Sequence, residues 1–155
     1  MRRDRLIHER EHDPYKARKS LPEPTVCTGC GATFREGRWT WIPAPADAHR
    51  ALCPADQRIR DQYPAGYVTL RGDFLKQHRA EILGLARNIE EREKAQHPLN
   101  RIMQVEDGGD SEIVVTTTNA HLARTLGEAI HSAYQGKLDF HYVEQDSLIR
   151  VLWER

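Results

Sequence analysis

The stretch Cys27-Thr28-Gly29-Cys30-Gly31 decides the organisation of the N-terminal part of this chain. In a C-x-x-C-G turn the two thiolates converge, because the backbone turns tightly and the trailing glycine permits a positive φ. The remaining cysteine opens Cys53-Pro54-Ala55-Asp56, which matches a second C-P-x-C turn up to its final position. An aspartate stands there instead of a cysteine. The two turns together predict one metal site with three sulfur ligands and one oxygen ligand.

Zinc is the expected metal, because it takes both cysteine and aspartate ligands in four-coordinate structural sites. Asp56 occupies the position of the missing cysteine and is the expected fourth ligand beside Cys27, Cys30 and Cys53. His49, four residues before Cys53, is an alternative fourth ligand. A remnant fold that has lost its metal and keeps three buried thiols is a further alternative.

The two turns are separated by 22 residues, from Gly31 to Leu52. This interval is slightly longer than the usual zinc-ribbon spacing of about 15–20 residues. Arg38-Trp39-Thr40-Trp41 alternates in polarity, so a β-hairpin that carries both tryptophans on one face would fill the interval.

The cysteine count indicates the compartment. Three cysteines cannot all pair within one chain, and the basic start of the sequence is not followed by an apolar stretch. We therefore expect no disulfide framework, no secretory signal peptide and a cytoplasmic location. No run approaches the roughly 18 apolar residues of a membrane span.

Charge is balanced over the whole chain but not along it. The 155 residues include 23 Lys or Arg and 23 Asp or Glu, which excludes a globally basic nucleic-acid binder but leaves local patches. Up to Ser20 the chain carries seven basic against four acidic side chains, and residues 1–24 are predicted to form a flexible basic arm. Such an arm would steer an anionic partner.

The remaining pattern predicts an α+β fold in three parts. Residues 25–72 form a zinc-ribbon-like module with a final short strand at 67–70. Residues 73–98 form a connecting helix, capped by Asp73 and ended by Pro98. Residues 99–155 form a ββαββ domain that folds on its own.

Local signals mark each element of the ββαββ domain. Strands at 101–106 and 112–118 flank a turn at 107–110, and strands at 138–142 and 148–153 flank a turn at 144–146. Asn119 caps the intervening helix and Gly136 ends it. Tyr142 and Trp153 are assigned to the core of this domain.

Cations and aromatic rings are interleaved near the cysteines, as in RNA-binding modules. The candidate RNA-binding residues are Arg35, Arg38, Trp39, Trp41, Arg58 and Arg60, with Phe34 and Arg50 beside them. The structural alternative is that the aromatic side chains form a small core and the arginines decorate an ordinary surface.

The two cysteine turns resemble a zinc ribbon, and the whole chain resembles a group of small uncharacterised bacterial zinc-ribbon proteins. More distantly, it is similar to the large-ribosomal-subunit nuclear export adaptor family of archaea and eukaryotes. That similarity rests on Cys27–Cys30, on Cys53–Asp56, and on residues 113–118 leading into a helix and then Leu138-Asp139-Phe140. The adaptor family carries more knuckles and has the final cysteine that is absent here. The resemblance implies zinc and a ribosome or RNA partner.

Two functions follow from these expectations. The first is a non-enzymatic zinc-ribbon adaptor that binds RNA or the ribosome. The second is a protein–protein interaction or regulatory module with a structural zinc and no nucleic-acid role. We expect no enzyme, because the sequence has no Gly-rich phosphate loop, nucleophile elbow or paired-carboxylate motif.

Overall fold

The computed structural model of this chain describes Tyr15 and residues 21–109, 111–143 and 148–155. Most of the predicted basic arm, Asp110 and the predicted turn at 144–146 lie outside the described residues. Within the described ranges the chain forms two mixed β-sheets and four helices, so the predicted α+β class is confirmed. None of the described helices is both long and apolar enough to cross a membrane.

The first sheet has four short strands in the spatial order β3-β2-β1-β4. Their bounds are β1 Thr25–Cys27, β2 Thr33–Arg35, β3 Arg38–Thr40 and β4 His49–Ala51. Strands β1, β2 and β3 are antiparallel neighbours, whereas β4 pairs with β1 in parallel. Helix α1, Pro54–Asp61, follows β4. We call residues 25–61 the N-terminal module.

The second sheet has five strands in the order β6-β7-β5-β9-β8. Their bounds are β5 Gly66–Arg71, β6 Ile102–Asp107, β7 Glu112–Thr117, β8 Lys137–Val143 and β9 Leu148–Glu154. Helix α4, Ala120–Tyr134, packs against β5, β7, β8 and β9, and helix α3, Arg79–Gln96, packs against α4. We call residues 64–155, which include this sheet and its helices, the sheet domain.

Strand β5 corrects the predicted division of the chain. The sequence pattern grouped residues 67–70 with the zinc-ribbon-like module, but β5 lies at the centre of the second sheet. It pairs antiparallel with β7 and parallel with β9, and its residues Val68 and Leu70 are fully buried. The elements from β6 to β9 do follow the order ββαββ, but β7 and β9 are joined only through β5.

The connecting helix is two helices. Helix α2, Asp73–Gln77, ends at His78, whose φ of −120° interrupts the helical backbone before α3 begins. Gly72, not Asp73, is the N-cap of α2, with a φ of 114°. A Cβ at this position would collide with the backbone of Arg155, so only glycine fits. Helix α3 ends at Gln96, before Pro98, as predicted.

Helix α4 begins and ends as predicted. The Asn119 side chain accepts a hydrogen bond from the Leu122 N–H at 2.8 Å, and the chain leaves the helix through Gly136 at a φ of 90°. Trp153 is buried in the core, also as predicted, but Tyr142 is 54% exposed. Tyr142 lies on β8, the edge strand of the sheet, beyond the part of β8 that α4 covers near Gly127.

Candidate metal centre

The first cysteine turn connects β1 to β2. Cys27 ends β1, its carbonyl oxygen accepts from the Gly31 N–H at 3.0 Å, and its own N–H donates to the Ala32 carbonyl at 2.7 Å. Gly31 has a φ of 81°, the conformation that the C-x-x-C-G pattern predicts. The turn therefore places Cys30 on the same side as Cys27.

The second cysteine turn is the start of helix α1. Cys53 is the N-cap, Pro54 is the first helical residue, and the Asp56 N–H donates to the Cys53 sulfur at 3.4 Å. A carboxylate in the first turn of a helix is stabilised by the partial positive charge there. The sequence Cys-Pro-Ala-Asp thus brings one sulfur and one carboxylate together at one helix terminus.

Pairing between β1 and β4 brings the two turns together. The parallel register places Cys27 beside Ala51, two residues before Cys53. One ligand atom from each of Cys27, Cys30, Cys53 and Asp56 lies within 4.8 Å of all the others. Asp56 Oδ2 is 3.0 Å from the Cys27 sulfur and 3.3 Å from the Cys53 sulfur.

The spacing of these atoms fits a four-coordinate metal ion. Two sulfurs at about 2.3 Å from a tetrahedral zinc lie about 3.8 Å apart. The sulfurs of Cys30 and Cys53 are 3.9 Å apart. The cysteines are free thiols rather than a disulfide, so all three are available as ligands.

Backbone amides surround the Cys27 sulfur. The N–H groups of Gly29, Cys30 and Cys53 donate to it at 3.3, 3.5 and 3.2 Å. These donors hold the Cys27 sulfur in place, 3.0 Å from Asp56 Oδ2.

Arg101 completes the cluster from the sheet domain. Its guanidinium donates to Asp56 Oδ1 at 2.9 Å, to the Cys53 sulfur at 3.1 Å and to the Pro98 carbonyl at 3.1 Å. The contact with Oδ1 leaves Oδ2 facing the sulfurs. Arg101 therefore orients the carboxylate and compensates the negative charge that three thiolates and one carboxylate would bring.

Burial and hydrogen bonding shift the pKa values in this cluster in opposite directions. Burial alone would raise the pKa of Asp56, but hydrogen bonds from Arg101, Cys27 and Cys53 lower it to about 2. Burial raises the pKa of the Cys53 thiol strongly and that of the Cys30 thiol as well. Asp56 is thus ionised at neutral pH, and a metal would displace protons from the buried thiols.

Gly29 leaves room for the carboxylate. A Cβ on Gly29 would lie 2.8 Å from Asp56 Oδ2 and 2.9 Å from Asp56 Cγ. Because Arg101 donates to the other carboxylate oxygen, Asp56 can move away from such a Cβ only by disturbing that hydrogen bond. Glycine is required between the first two cysteines for space rather than for a positive φ.

The alternative ligand His49 does not join this cluster. His49 lies exposed on β4, opposite Thr25, and Asp56 takes the fourth position among the described residues that converge. The sequence pattern had no signal for Arg101, because it lies 45 positions after Asp56.

The candidate RNA-binding residues separate into exposed and structural groups. Arg35 and Arg38 are exposed, whereas Arg58 is 3% exposed, donates to the Tyr63 carbonyl and lies over the Tyr15 ring. The guanidinium of Arg60 is paired with the adjacent Asp61. Arg58 is therefore a packing residue and not part of an accessible basic surface.

The two tryptophans also differ. Trp39 lies on β3, half-buried against Phe34, with the ring centroids 5.4 Å apart. Trp41 lies just beyond β3, and its indole N–H donates to the Lys94 carbonyl near the end of α3 at 2.7 Å. The predicted arrangement of both rings along one strand face is not observed, since β3 ends at Thr40.

Comparison with known proteins gave no relatives. A scan against protein-family models, a search of curated proteins and a search of solved structures each found no match to this chain.

Proposed function

We propose that Cys27, Cys30, Cys53 and Asp56 bind one Zn²⁺, which folds the N-terminal module as a zinc ribbon and fastens it to the sheet domain through Arg101. The convergence of the four ligand atoms within 4.8 Å carries this proposal. Three thiolates favour zinc over calcium, magnesium or manganese, which prefer oxygen ligands. Four protein ligands complete a structural site, whereas a catalytic zinc keeps a position for water or substrate.

Zinc content and affinity test this proposal directly. We expect one zinc per chain in protein purified under reducing, metal-replete conditions, and a large loss of affinity in Asp56→Ala. Asp56→Cys should retain or strengthen binding. His49→Ala is the matched control and should bind like the wild type. Zinc well below one per chain, or loss in His49→Ala with retention in Asp56→Ala, would contradict the assignment.

We further propose that the zinc-bound protein is a non-enzymatic adaptor that binds RNA. The supporting observation is that Arg35, Arg38 and Arg50 lie on one face of the first sheet. Residues that are opposite each other in neighbouring strands point to the same face of a sheet, as do residues two positions apart in one strand. Arg38 is opposite Arg35, and Arg35 is two residues from Thr33. Val26 lies between Thr33 and Arg50 and is opposite both, so Arg50 shares this face. All three are exposed, and none has an ion-pair partner in the described ranges. We call these residues the arginine face.

The arginine face suits an anionic polymer better than a protein partner. Three exposed, unpaired guanidinium groups on one face of a small sheet can each donate to a phosphate, and they offer little apolar surface to a protein partner. The similarity to ribosome-binding adaptors makes ribosomal RNA one source of such a strand. An interaction module without a nucleic-acid role is the competing function.

Salt-dependent binding separates these two functions. A fluorescein-labelled single-stranded RNA should bind the full-length protein at low salt and weaken steeply as salt rises. The triple variant Arg35→Gln, Arg38→Gln, Arg50→Gln should lose most of this binding and flatten its salt dependence. Co-sedimentation with ribosomes, with and without RNase, identifies the source of the RNA. Absence of binding to either at low salt would leave the protein-interaction module.

A further inference from the structure

A groove lies where the N-terminal module meets the sheet domain. Its wall from the module is the β2–β3 hairpin, and its wall from the sheet domain is the segment between α3 and β6 together with the start of α4. The lining residues that matter are Arg38, Trp39, His97, Leu99, Asn100 and Asn119. Leu99 and Trp39 both pack against the small core of the module, so the groove joins the two regions.

The orientation of two amide side chains in the groove follows from helix capping. Asn119 must present its oxygen to the Leu122 N–H, because the cap requires an acceptor. Its amide nitrogen then donates to Asn100, so the Asn100 oxygen faces Asn119. The Asn100 nitrogen, Nδ2, is consequently turned away from Asn119.

Asn100 Nδ2 is a donor without an acceptor. Asn100 is only 4% exposed, and no described residue accepts a hydrogen bond from its Nδ2 atom. Nδ2 is not sealed from solvent, because among the described residues the only fully buried side-chain polar atom without a partner is Thr33 Oγ1. Asn100 lines the groove, so water or a bound molecule can accept the hydrogen bond of Nδ2 there.

Trp39 provides a flat surface in the same groove. Its ring is half-buried, tilted by 55° against Phe34, and contributes to the groove wall. The indole N–H is also without an acceptor among the described residues. A planar group with acceptor atoms on its edge would match both the ring and the donors.

Arg38 adds charge at the side of the groove. It is exposed and unpaired, and it belongs both to the groove and to the arginine face. A planar ligand that carries a phosphate would therefore place the phosphate near Arg38. Nucleotides combine these three features: a planar base, edge acceptors and a phosphate.

We propose that this groove binds one unstacked nucleobase, with Trp39 stacking on the base, Asn100 Nδ2 donating to its edge and Arg38 contacting the adjacent phosphate. The inference rests on the RNA-binding function proposed above and specifies its site. The base belongs either to a single-stranded RNA or to a free nucleotide, which share this chemistry.

The donors also specify which bases fit. Uracil and guanine present keto oxygens, whereas cytosine and adenine present amino groups at the corresponding positions. A donor facing a keto oxygen forms a hydrogen bond, and a donor facing an amino group does not. Cytosine and adenine also carry acceptor atoms, so this preference for keto bases belongs to the pose in which the edge with uracil O4 or guanine O6 faces Asn100 Nδ2.

The test compares the labelled decamers U10 and C10, which differ at each base chiefly by a keto or an amino group. We expect the full-length protein to bind U10 more tightly. Asn100→Asp replaces the donor with an acceptor of similar shape and adds a negative charge that weakens both decamers. It should weaken U10 binding about tenfold and more than C10 binding, so the preference for U10 is reduced or reversed. A merely structural role for Asn100 would lower affinity for both decamers equally, which would overturn the proposal.

Two further variants keep the proposal testable if Asn100→Asp does not fold. Trp39→Ala should weaken U10 binding at least about fivefold through lost stacking, and Trp39→Phe should partly restore it. Arg38→Gln should weaken both decamers equally. The control is Arg71→Gln. Gly66, at the start of β5, lies opposite Thr117 and close in sequence to Asn119 of the groove, whereas Arg71 lies opposite Glu112 at the other end of β5. Arg71→Gln should bind U10 like the wild type.

The outcomes distinguish the groove from the RNA-binding function as a whole. Salt-sensitive U10 binding that the Asn100 and Trp39 variants leave unchanged would overturn the groove and keep the function. If uridine monophosphate displaces U10 with an affinity similar to that of U10 itself, the occupant is identified as a free nucleotide. Absence of any binding to U10, C10 and uridine monophosphate would overturn both proposals.

Discussion

The N-terminal module and the sheet domain are held together by different forces. The buried apolar cluster of the module consists of Cys27, Ala32, Cys53 and Ala55, which offer little apolar surface. The sheet domain buries a continuous core of sixteen residues that runs from Val68 to Trp153. Large apolar side chains supply about 1.5–3 kcal/mol each when fully buried, so the sheet domain can fold by the hydrophobic effect.

The difference shows what the cysteine cluster contributes. A module of about 37 residues cannot bury enough surface to fold alone and needs another source of stability, such as a metal. The Arg101 contacts with Asp56 and Cys53 join the two regions at the same cluster. The module therefore depends on its ligands and on the sheet domain, while the sheet domain depends on its own core.

Removing β5 should produce the largest effect. A fragment of residues 99–155 lacks the strand that joins β7 to β9, so we expect it to show no cooperative thermal transition by circular dichroism. A fragment of residues 64–155 restores β5 and should melt cooperatively. Cooperative folding of the shorter fragment would mean that the ββαββ elements suffice after all.

Chelation of the metal should affect only the N-terminal module, the next largest effect. The three tryptophan indole signals in an NMR spectrum report on both regions. Those of Trp39 and Trp41 should move to unfolded positions, whereas that of Trp153, which is buried and donates to the Gln135 carbonyl at 2.6 Å, should persist. Loss of all three signals together would show that the sheet domain also requires the metal.

Substitution of Arg101 should weaken the metal site without unfolding the sheet domain. Mutation of a residue that orients a metal ligand typically lowers the affinity for the metal about 10–100-fold. We expect such a loss in Arg101→Ala, and a smaller loss in Arg101→Lys, which keeps the charge but not the planar fork. Competition with a chromophoric zinc chelator measures both. Arg124→Ala, which removes an exposed ion pair with Glu128, is the control and should bind zinc like the wild type.

Two glycine substitutions should give the smallest effects, with opposite signs in the two regions. Gly29→Ala should lower zinc affinity, because the added Cβ meets the Asp56 carboxylate. Gly84→Ala lies in the middle of α3 with open space around it, and should raise the free energy of unfolding by about 0.5–1 kcal/mol. Zinc titration and denaturant unfolding measure the two changes. Unchanged zinc affinity in Gly29→Ala would mean that Asp56 is not a ligand.

Features set by local sequence were predictable. The Asn119 cap, the hairpin between β6 and β7 and the turn at Cys27–Gly31 each depend on a few consecutive residues, and each is observed. The convergence of Cys53 and Asp56 on that turn was also predicted, because Cys53 and Asp56 have the same spacing as Cys27 and Cys30.

Features set by tertiary contacts were not predictable. The pattern of β5 identifies a strand but not its partners, and its parallel pairing with β9 joins residues far apart in sequence. Arg101 lies three residues after Pro98 and directly before β6, which is an ordinary position for an exposed arginine. Alternation along β8 likewise gives two faces, but it does not reveal that Tyr142 lies beyond the cover of α4.

The central position of β5 has a consequence for how the chain is synthesised. Gly66 precedes its partner Ile149 by 83 positions. At roughly 5–20 residues per second, the ribosome needs about 4–17 s to add that stretch. During this interval β5 cannot pair with β9, which has not yet been synthesised, whereas all four proposed zinc ligands are already part of the chain. The N-terminal module can therefore gather its ligands first, and the sheet closes only when the last strand emerges.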